Sequence, residues 1–316
     1  MFIVRRRRVD VASVRGLAKT WGASLRPHQW VKNLLVFLPL LMAHRWFDIV
    51  AWWSAAFAFF AFSLCASAVY LFNDVMDIEA DRSHPRKAAR PIAQGLIQPR
   101  RALVVATLIM LIAVTSSAVV LPQFAAVLVG YALSTFLYSA WLKRWFLLDC
   151  VVLGGLYTVR ITAGSSATGI ETSPWLLTFA IALFFSLALV KRYAELRSLQ
   201  LSKSDDAGAS VGFELPGRRY AISDIDLVAR LGVSSGFVAL MTLALYVRSD
   251  TALQLYSAPH WLLGAVVAAA VWFVWIWSRA REGRMGDDPV LFAFTDRFSL
   301  LTGLFVLIFF MLAATT

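Results

Sequence analysis

Long apolar runs alternate with short polar segments along almost the whole chain. Several runs hold about 20 apolar residues, enough for a helix to cross a bilayer. They are continuous rather than alternating, which favours membrane-spanning helices over a β-barrel. We therefore expect an all-α polytopic membrane protein with nine transmembrane helices, over residues 30–47, 51–72, 102–121, 123–142, 146–164, 174–193, 228–247, 260–278 and 298–315.

The composition and the distribution of charge agree with this class. Hydrophobic residues make up 59% of the chain and charged residues 16%, whereas a soluble domain carries about 25% charged residues. In the nine-helix arrangement, all of the 30 lysines and arginines except Arg45, Arg160 and Arg248 fall on one side of the membrane. Positive charge concentrates in cytoplasmic loops. The net charge of +11 therefore requires no nucleic-acid partner.

The same rule predicts a cytoplasmic N-terminus and a C-terminus outside. We expect a single integral membrane domain over residues 1–316, with a basic cytoplasmic segment over 1–28 and long cytoplasmic loops over 73–101 and 194–227. The opening MFIVRRRRVD lacks the apolar stretch of a cleavable signal. These features indicate a multi-pass protein of a bacterial-type cytoplasmic (inner) membrane.

One segment, YLFNDVMDIEADRSHPRKAARP (70–91), concentrates several of the few acids. Asp74, Asp77 and Asp81 are spaced i, i+3 and i+7, which places them on one helix face with Asn73 beside them. Three carboxylates on one face repel each other unless a cation lies among them. A solvated helix end is the alternative, although such a face usually mixes both signs. The all-oxygen donor set favours Mg²⁺, whose coordination a substrate phosphate commonly completes.

Basic residues follow these acids directly, among them Arg82, Lys87 and Arg90. Such side chains neutralise phosphate charge. The segment therefore predicts a site for a metal and a diphosphate, with the carboxylates holding the metal and the bases holding the phosphates. His84 is expected to shape the connecting turn.

The pattern Asn73-Asp74-x-x-Asp77-x-x-x-Asp81 resembles the NDxxDxxxD signature of the UbiA superfamily of intramembrane prenyltransferases. The resemblance covers the whole chain, with nine helices, the motif after the second helix and long cytoplasmic loops. It implies a UbiA-like bundle around a central cavity that opens laterally to lipid. It also implies that Asn73, Asp74, Asp77 and Asp81 bind Mg²⁺ bridged to a diphosphate, the three aspartates being catalytic.

The chain departs from most of the superfamily at the second Asp-rich motif, DxxxD, after the sixth helix. Here that place contains LVKRYAELRSL (189–199), and fixed cations suit a phosphate held without metal. Together with RPHQWVKNLLVFLPL (26–40), YTVRITAG (157–164) and DPVLFAFTDR (288–297), it resembles the decaprenyl-phosphate phosphoribosyltransferase branch. That resemblance implies Mg²⁺-dependent transfer of phosphoribosyl from 5-phosphoribosyl 1-diphosphate to a polyprenyl phosphate, releasing pyrophosphate. It also implies a role in arabinose supply to a cell envelope.

Further residues are predicted to contact the substrates, with Lys191 as a catalytic cation. For several basic residues a simple topology charge is the alternative. Arg160 differs, because an unpaired cation within a span costs about 2.5 kcal/mol or more. We expect it to face the cavity or pair with an acid, unless the span ends early and it anchors the far side. The predicted substrate-binding residues are Lys32, Asn33, Asn73, Arg82, Lys87, Arg90, Tyr138, Lys143, Arg160, Arg192, Tyr193 and Glu195.

Two other functions stay open on the sequence. One is a UbiA-type aromatic prenyltransferase that uses a polyprenyl diphosphate donor. The other is a lipid or ion transporter, although transporters place their sites near the bilayer midplane and these charges gather at one face. The lipid chain length, the number of metal ions and the oligomeric state, a homo-oligomer included, also stay open.

Overall fold

The computed structural model describes residues 11–83, 87–205, 215, 218–286 and 288–315. Every regular element within these ranges is helical, which confirms the all-α class. The α-helices are α1 (Val11–Leu25), α2 (Leu38–Met42), α3 (Ile49–Met76), α4 (Ile78–Arg82), α5 (Pro99–Val120), α6 (Pro122–Ala140), α7 (Leu148–Thr168), α8 (Pro174–Asp205), α9 (Ile225–Tyr246), α10 (Asp250–Leu255), α11 (Leu262–Arg281), α12 (Pro289–Thr295) and α13 (Arg297–Thr315). Short 3-10 segments cover Pro27–Phe37, Lys87–Ala89, Leu142–Arg144, Ile222–Asp224 and Pro259–Trp261.

Seven of the described helices are long and apolar enough to cross a membrane: α3, α5, α6, α8, α9, α11 and α13. Helix α7 has 21 residues but is more polar, since it carries Asp149, Arg160 and several serines and threonines. The first expected span, 30–47, consists of the 3-10 segment Pro27–Phe37 followed by α2. The protein is therefore a multi-pass helical membrane protein, and the count of nine spans is not confirmed.

Two predicted cytoplasmic loops begin as helix. Helix α3 continues to Met76, so the first residues of the acidic motif form its last turn. Helix α8 continues to Asp205, so residues 194–205 are helical instead of belonging to a loop. The polar sequence KRYAELRSL consists mostly of good helix formers, and helix formation therefore continues where the apolar pattern ends. His84, expected to shape a turn, lies outside the described residues.

Small residues bring the central helices close together. Helix α3 buries Ala51, Ala55 and Ala58 at helical spacing, and in α8 the Ser186 hydroxyl donates to the Gly232 carbonyl of α9 at 2.7 Å. Small side chains let helix backbones approach within a membrane. The outer helices α5 and α13 expose large apolar side chains, as lipid-facing helices do. The polar residues of interest lie where α3, α7 and α12 meet the segment Pro27–Phe37.

Gly164 sets the distance between α7 and that segment. A Cβ atom added at this position would overlap the backbone carbonyl group of Val36. Near this contact, Arg160 Nε of α7 donates to Asn33 Oδ1 at 2.9 Å. The absence of a side chain at Gly164 therefore lets the two elements approach and place their polar residues together.

Replacing Gly164 with alanine is expected to destabilise the protein by about 1–3 kcal/mol, because an inserted methyl group forces two backbones apart. Thermal unfolding of the purified protein in detergent measures the effect. The Gly155→Ala variant is the matched control, since it lies on the same helix with nothing within 4 Å of the added atom. Equal unfolding temperatures for the two variants would contradict the close approach.

Candidate functional site

The acidic motif spans the junction between α3 and α4. Asp74 lies in the last turn of α3, Asp77 lies between the helices and Asp81 belongs to α4. The chain keeps a helical course through the junction, since the Asp77 amide donates to the Asn73 carbonyl at 2.9 Å and the Asp81 amide donates to the Asp77 carbonyl at 2.8 Å. This arrangement brings the motif to the cytoplasmic loop region that the sequence predicts.

Two of the three aspartates share one arginine. Arg90 Nη1 donates to Asp74 Oδ1 at 3.0 Å and to Asp81 Oδ2 at 2.6 Å. Arg26 Nη2 makes a second bond to Asp74 Oδ1 at 2.5 Å. Both carboxylates are buried, and a buried charge left without a partner costs several kcal/mol. The two arginines therefore keep this carboxylate pair in place.

Asp77 points elsewhere and pairs with Lys143 at 3.5 Å. Within the part of the chain that the structure describes, no three His, Cys, Asp or Glu side chains lie together as a ready metal site. The structure thus brings Asp74 and Asp81 together and separates them from Asp77. Of the three carboxylates expected on one face, only Asp77 diverges, because it pairs with Lys143 whereas Asp74 and Asp81 share Arg90.

The carboxylate pair nevertheless fits a hard divalent cation. Asp74 Oδ1 and Asp81 Oδ2 converge on a single nitrogen of Arg90, so one positive centre can contact both oxygens. Asn73 Oδ1 is buried and has no hydrogen-bond partner among the described residues. Carboxylate and amide oxygens are ligands that Mg²⁺ accepts. Asp74, Asp81 and Asn73 would hold the ion once Arg90 moves away.

The basic residues that follow the acidic motif contact different partners. Arg90 bonds to the carboxylates, whereas Arg82 Nε donates to the Ala93 carbonyl at 3.0 Å and holds the loop backbone. Burial and the neighbouring Arg90 lower the pKa of Lys87, against the opposing attraction of Asp81. Lys87 and Arg90 therefore place positive charge beside the acidic motif, as the sequence predicts.

Arg26 belongs to this site, and the sequence prediction missed it. Its backbone has φ 53° and ψ 54°, a left-handed conformation that non-glycine residues rarely adopt. Its guanidinium lies 4.9 Å from the centre of the Tyr70 ring while it bonds to Asp74. The sequence signal was weak, because an arginine at the edge of a span usually serves topology.

A second charged cluster lies farther along the same 3-10 segment. Buried Lys32 forms an ion pair with Asp288, and the Tyr157 hydroxyl donates to Asp288 Oδ1 at 3.3 Å. Asp288 also caps α12, accepting from the amides of Val290 at 3.0 Å and Leu291 at 3.2 Å. This aspartate opens the DPVLFAFTDR segment and was not predicted as a site residue.

Electrostatics place a second lysine near Asp288. Burial alone would raise the pKa of Asp288, but attraction to Lys32 and Lys191 outweighs burial, and the pKa is lowered. Lys191 is half-buried on α8. Lys32 is therefore paired with Asp288, and Lys191 lies within electrostatic range of the same carboxylate, although the two lysines are far apart in the sequence.

Arg160 lies in the interior of the bundle. Its guanidinium donates to Asn33 Oδ1 at 2.9 Å and to the Tyr131 hydroxyl at 3.2 Å, and it lies 5.3 Å from the Phe62 ring and 5.2 Å from the Tyr157 ring. No acid pairs with it among the described residues. Aromatic faces and hydrogen bonds take the place of the expected carboxylate, and its burial excludes a far-side anchor.

Arg192 is adjacent to Lys191 but belongs to a different cluster. Its side chain is completely buried and pairs with buried Asp149 at 3.0 Å, as well as with Glu195. Asp149 also accepts from Arg218 at 3.2 Å and from the Tyr220 hydroxyl at 2.5 Å. These contacts tie α7, α8 and the segment before α9 together.

The last two predicted residues are packed against aromatic or apolar neighbours. Tyr193 lies edge-on to Trp277, with ring centres 5.7 Å apart. Tyr138 is half-buried and packs against the core formed by α3, α6 and α7. The predicted residues near the end of α8 therefore do not form one site. Of these residues, only Lys191 lies near the second charged cluster, whereas Arg192, Tyr193 and Glu195 contact other parts of the structure.

The Arg192→Met substitution is expected to destabilise the protein by about 3–5 kcal/mol, because among the described residues it leaves the buried Asp149 carboxylate with only the partly exposed Arg218 as a cationic partner. Thermal unfolding in detergent measures this effect. Arg197→Met, one turn farther along α8 and bonded to exposed partners, is the matched control. A folded, stable Arg192→Met protein that has lost substrate binding would instead make Arg192 a ligand.

The comparisons with known proteins agree with the fold. The model of the UbiA prenyltransferase family matches residues 34–302. A UbiA homolog from Archaeoglobus fulgidus, solved with GPP and Mg²⁺, has a TM-score of 0.64 and 15% identity, and the alignment covers 93% of this chain and 99% of that one. This likeness concerns the fold alone.

Three relatives are similar in sequence. The uncharacterised protein y4nM of Sinorhizobium fredii is 36% identical over 93% of this chain, which spans 56% of the length of that relative. Nodulation protein NoeC of Azorhizobium caulinodans is 33% identical, with 89% of both chains covered. Decaprenyl-phosphate phosphoribosyltransferase of Mycobacterium tuberculosis is 40% identical over 55% of this chain and 59% of its own length. Because the family model matches residues 34–302, the chain belongs to the UbiA prenyltransferase family.

Proposed function

We propose that the protein transfers the 5-phosphoribosyl group from 5-phosphoribosyl 1-diphosphate to a polyprenyl phosphate, releases pyrophosphate and depends on Mg²⁺. The observation that carries this proposal is the presence of two charged clusters, one rich in carboxylates and one rich in lysines. One has paired carboxylates, Asp74 and Asp81, suited to a metal and a diphosphate. The other has the buried Lys32–Asp288 pair, with Lys191 of α8 within electrostatic range, and suits a phosphate held without metal.

The atom balance of the reaction is simple. The bond between ribose C1 and the diphosphate oxygen breaks, and the diphosphate leaves with the electron pair. An oxygen of the lipid phosphate forms the new bond to C1. A phosphate monoester carries a charge of about −1.5 to −2 near neutral pH, so no residue has to act as a strong base.

The residues of the two charged clusters would position the diphosphate of the donor and the phosphate of the lipid, and would neutralise the charge of both. Bound Mg²⁺ would supply positive charge to the departing diphosphate. Asp74 and Asp81 would hold that ion, and Arg26 and Arg90, released from the carboxylates, would donate to phosphate oxygens. Stabilisation of the developing charge by such fixed donors is commonly the largest single contribution to catalysis.

The relatives support this proposal in part. Relatives named decaprenyl-phosphate phosphoribosyltransferase, from two strains of Mycobacterium tuberculosis and from two other bacteria, are 36% to 40% identical over part of the chain. Aromatic prenyl transfer is the alternative, in which the lipid carries the diphosphate. It would require a second metal site near the end of α8, where this chain has Lys191 and Arg192.

We also propose that the reaction takes place at the cytoplasmic face of a bacterial inner membrane. The acidic motif, Lys143 and Lys191 lie at the helix ends that carry most of the positive charge, which is the cytoplasmic side by the positive-inside rule. A water-soluble phosphoribosyl donor would reach these residues from that side. The N-terminus would then be cytoplasmic and the C-terminus outside.

Purified protein in detergent, supplied with 5-phosphoribosyl 1-diphosphate, Mg²⁺ and a polyprenyl phosphate, is expected to release pyrophosphate. The Asp81→Asn substitution should lower this rate roughly 100-fold or more, because it removes one carboxylate from the metal site. Asp48→Asn is the matched control: Asp48 caps the other end of α3 by accepting from the Ala51 amide, and asparagine also caps helices.

Consumption of a polyprenyl diphosphate with an aromatic acid, and none of the phosphoribosyl donor, would overturn the proposed function. A folded Asp81→Asn protein with an unchanged rate would instead overturn the assignment of the metal site.

A further inference from the structure

An apolar cleft begins next to the Lys32–Asp288 pair. A cavity of about 170 Å³ is lined by apolar residues that include Leu35, Leu187 and Val290. A second cavity of about 250 Å³ adjoins it, since the two share the lining residues Phe179, Leu183, Trp272 and Ala293. We call these two adjoining cavities, which lie between α8, α11, α12 and α13, the apolar cleft.

The register of three elements places charge at one end of this cleft. A 3-10 helix has three residues per turn, so Lys32 and Leu35 lie on the same side of the segment Pro27–Phe37. On α8, Leu187 lies one turn before Lys191 and on the same face. Asp288 lies two residues before Val290 at the start of α12.

The other end of the cleft reaches the surface of a membrane-spanning helix. Its lining there includes Thr302, Gly303 and Val306 of α13, and Gly303 is exposed. Except for the hydroxyls of Ser299 and Thr302, the lining side chains that the structure describes carry no oxygen, and the one nitrogen is the indole of Trp272. This end therefore suits a hydrocarbon chain that continues into the bilayer.

The charges at the inner end favour an anion. Lys32 is buried and has Asp288 as its carboxylate partner. That carboxylate is also engaged by the Tyr157 hydroxyl and by two backbone amides of α12. If another anion binds Lys32, Asp288 loses that ion pair but keeps its hydrogen bonds to the two amides and the hydroxyl. The buried carboxylate is therefore not left without partners.

We propose that Lys32 and Lys191 bind the phosphate of the lipid substrate, that its isoprenoid chain occupies the apolar cleft, and that the phosphate displaces Asp288 from Lys32. This inference rests on the proposed function and assigns its acceptor site. The segment Pro27–Phe37 then connects both sites, because Arg26 at its start contacts Asp74 and Lys32 contacts Asp288. Six residues of 3-10 helix span about 12 Å.

Binding of farnesyl phosphate to the purified protein in detergent tests this assignment. The titration is done with a metal chelator and without the phosphoribosyl donor, so that the carboxylate site does not contribute. Lys191→Met and Lys32→Met are each expected to weaken binding roughly 10- to 100-fold, the effect of losing a hydrogen bond to a charged group. Binding of farnesol, which lacks the phosphate, should change little in the same variants.

Two further variants separate the head group from the chain. Asp288→Asn is expected to tighten farnesyl phosphate binding, because it removes the competing charge while asparagine can still cap α12. Ala293→Phe fills the cleft where its two cavities join and should weaken farnesyl phosphate and farnesol alike. Arg284→Met is the control for general charge, since Arg284 is 67% exposed.

Lys32 is buried, and its variant can fail to fold. Lys191 is half-buried, so Lys191→Met is expected to fold and can still be tested. Unchanged farnesyl phosphate binding in folded Lys191→Met, with full turnover in the wild type, would overturn the acceptor site and leave the proposed function standing. A wild-type protein that neither binds farnesyl phosphate nor releases pyrophosphate with a polyprenyl phosphate would overturn both.

Discussion

The bonds from Arg90 and Arg26 to the buried carboxylates of Asp74 and Asp81 are the interactions on which the rest of the site depends. Two buried carboxylates held close together repel each other and lose hydration, so burying both requires positive charge beside them. The arginines supply that charge from two different parts of the chain. They thereby join the end of α3, the loop after α4 and the segment Pro27–Phe37.

The buried charges divide into two kinds. Asp149 and Arg192 are completely buried and bound to several partners from α7, α8 and the residues before α9, which suits a permanent structural connection. The other kind is accessible. Arg90 is itself partly exposed, and the Lys32–Asp288 pair lies next to the apolar cleft. In the proposed function, substrate anions or a metal ion would replace their present partners without leaving a charge unpaired, so these pairs would keep the site ordered before binding.

The sequence was most informative where the signal was local. Continuous apolar runs predicted the helical membrane class. The spacing of the acids predicted that Asp74 and Asp81 lie together, but it also predicted that Asp77 joins them, and Asp77 instead pairs with Lys143. Partners that lie far apart in sequence were missed: Arg26 is 48 residues from Asp74, and Asp288 is 256 residues from Lys32. Hydropathy also misplaced the end of α8, because helix propensity continues after the apolar pattern stops.

The central claim is that two anions bind at separate sites, one with metal and one without. A structure of the protein with Mg²⁺, pyrophosphate and farnesyl phosphate tests it most directly, because this combination lacks the ribose and cannot react forward. The account predicts Mg²⁺ and pyrophosphate at Asp74 and Asp81, and the lipid phosphate on Lys32 and Lys191 with its chain in the apolar cleft. A lipid phosphate coordinated to the metal at Asp74, with Lys32 still paired to Asp288, would contradict it.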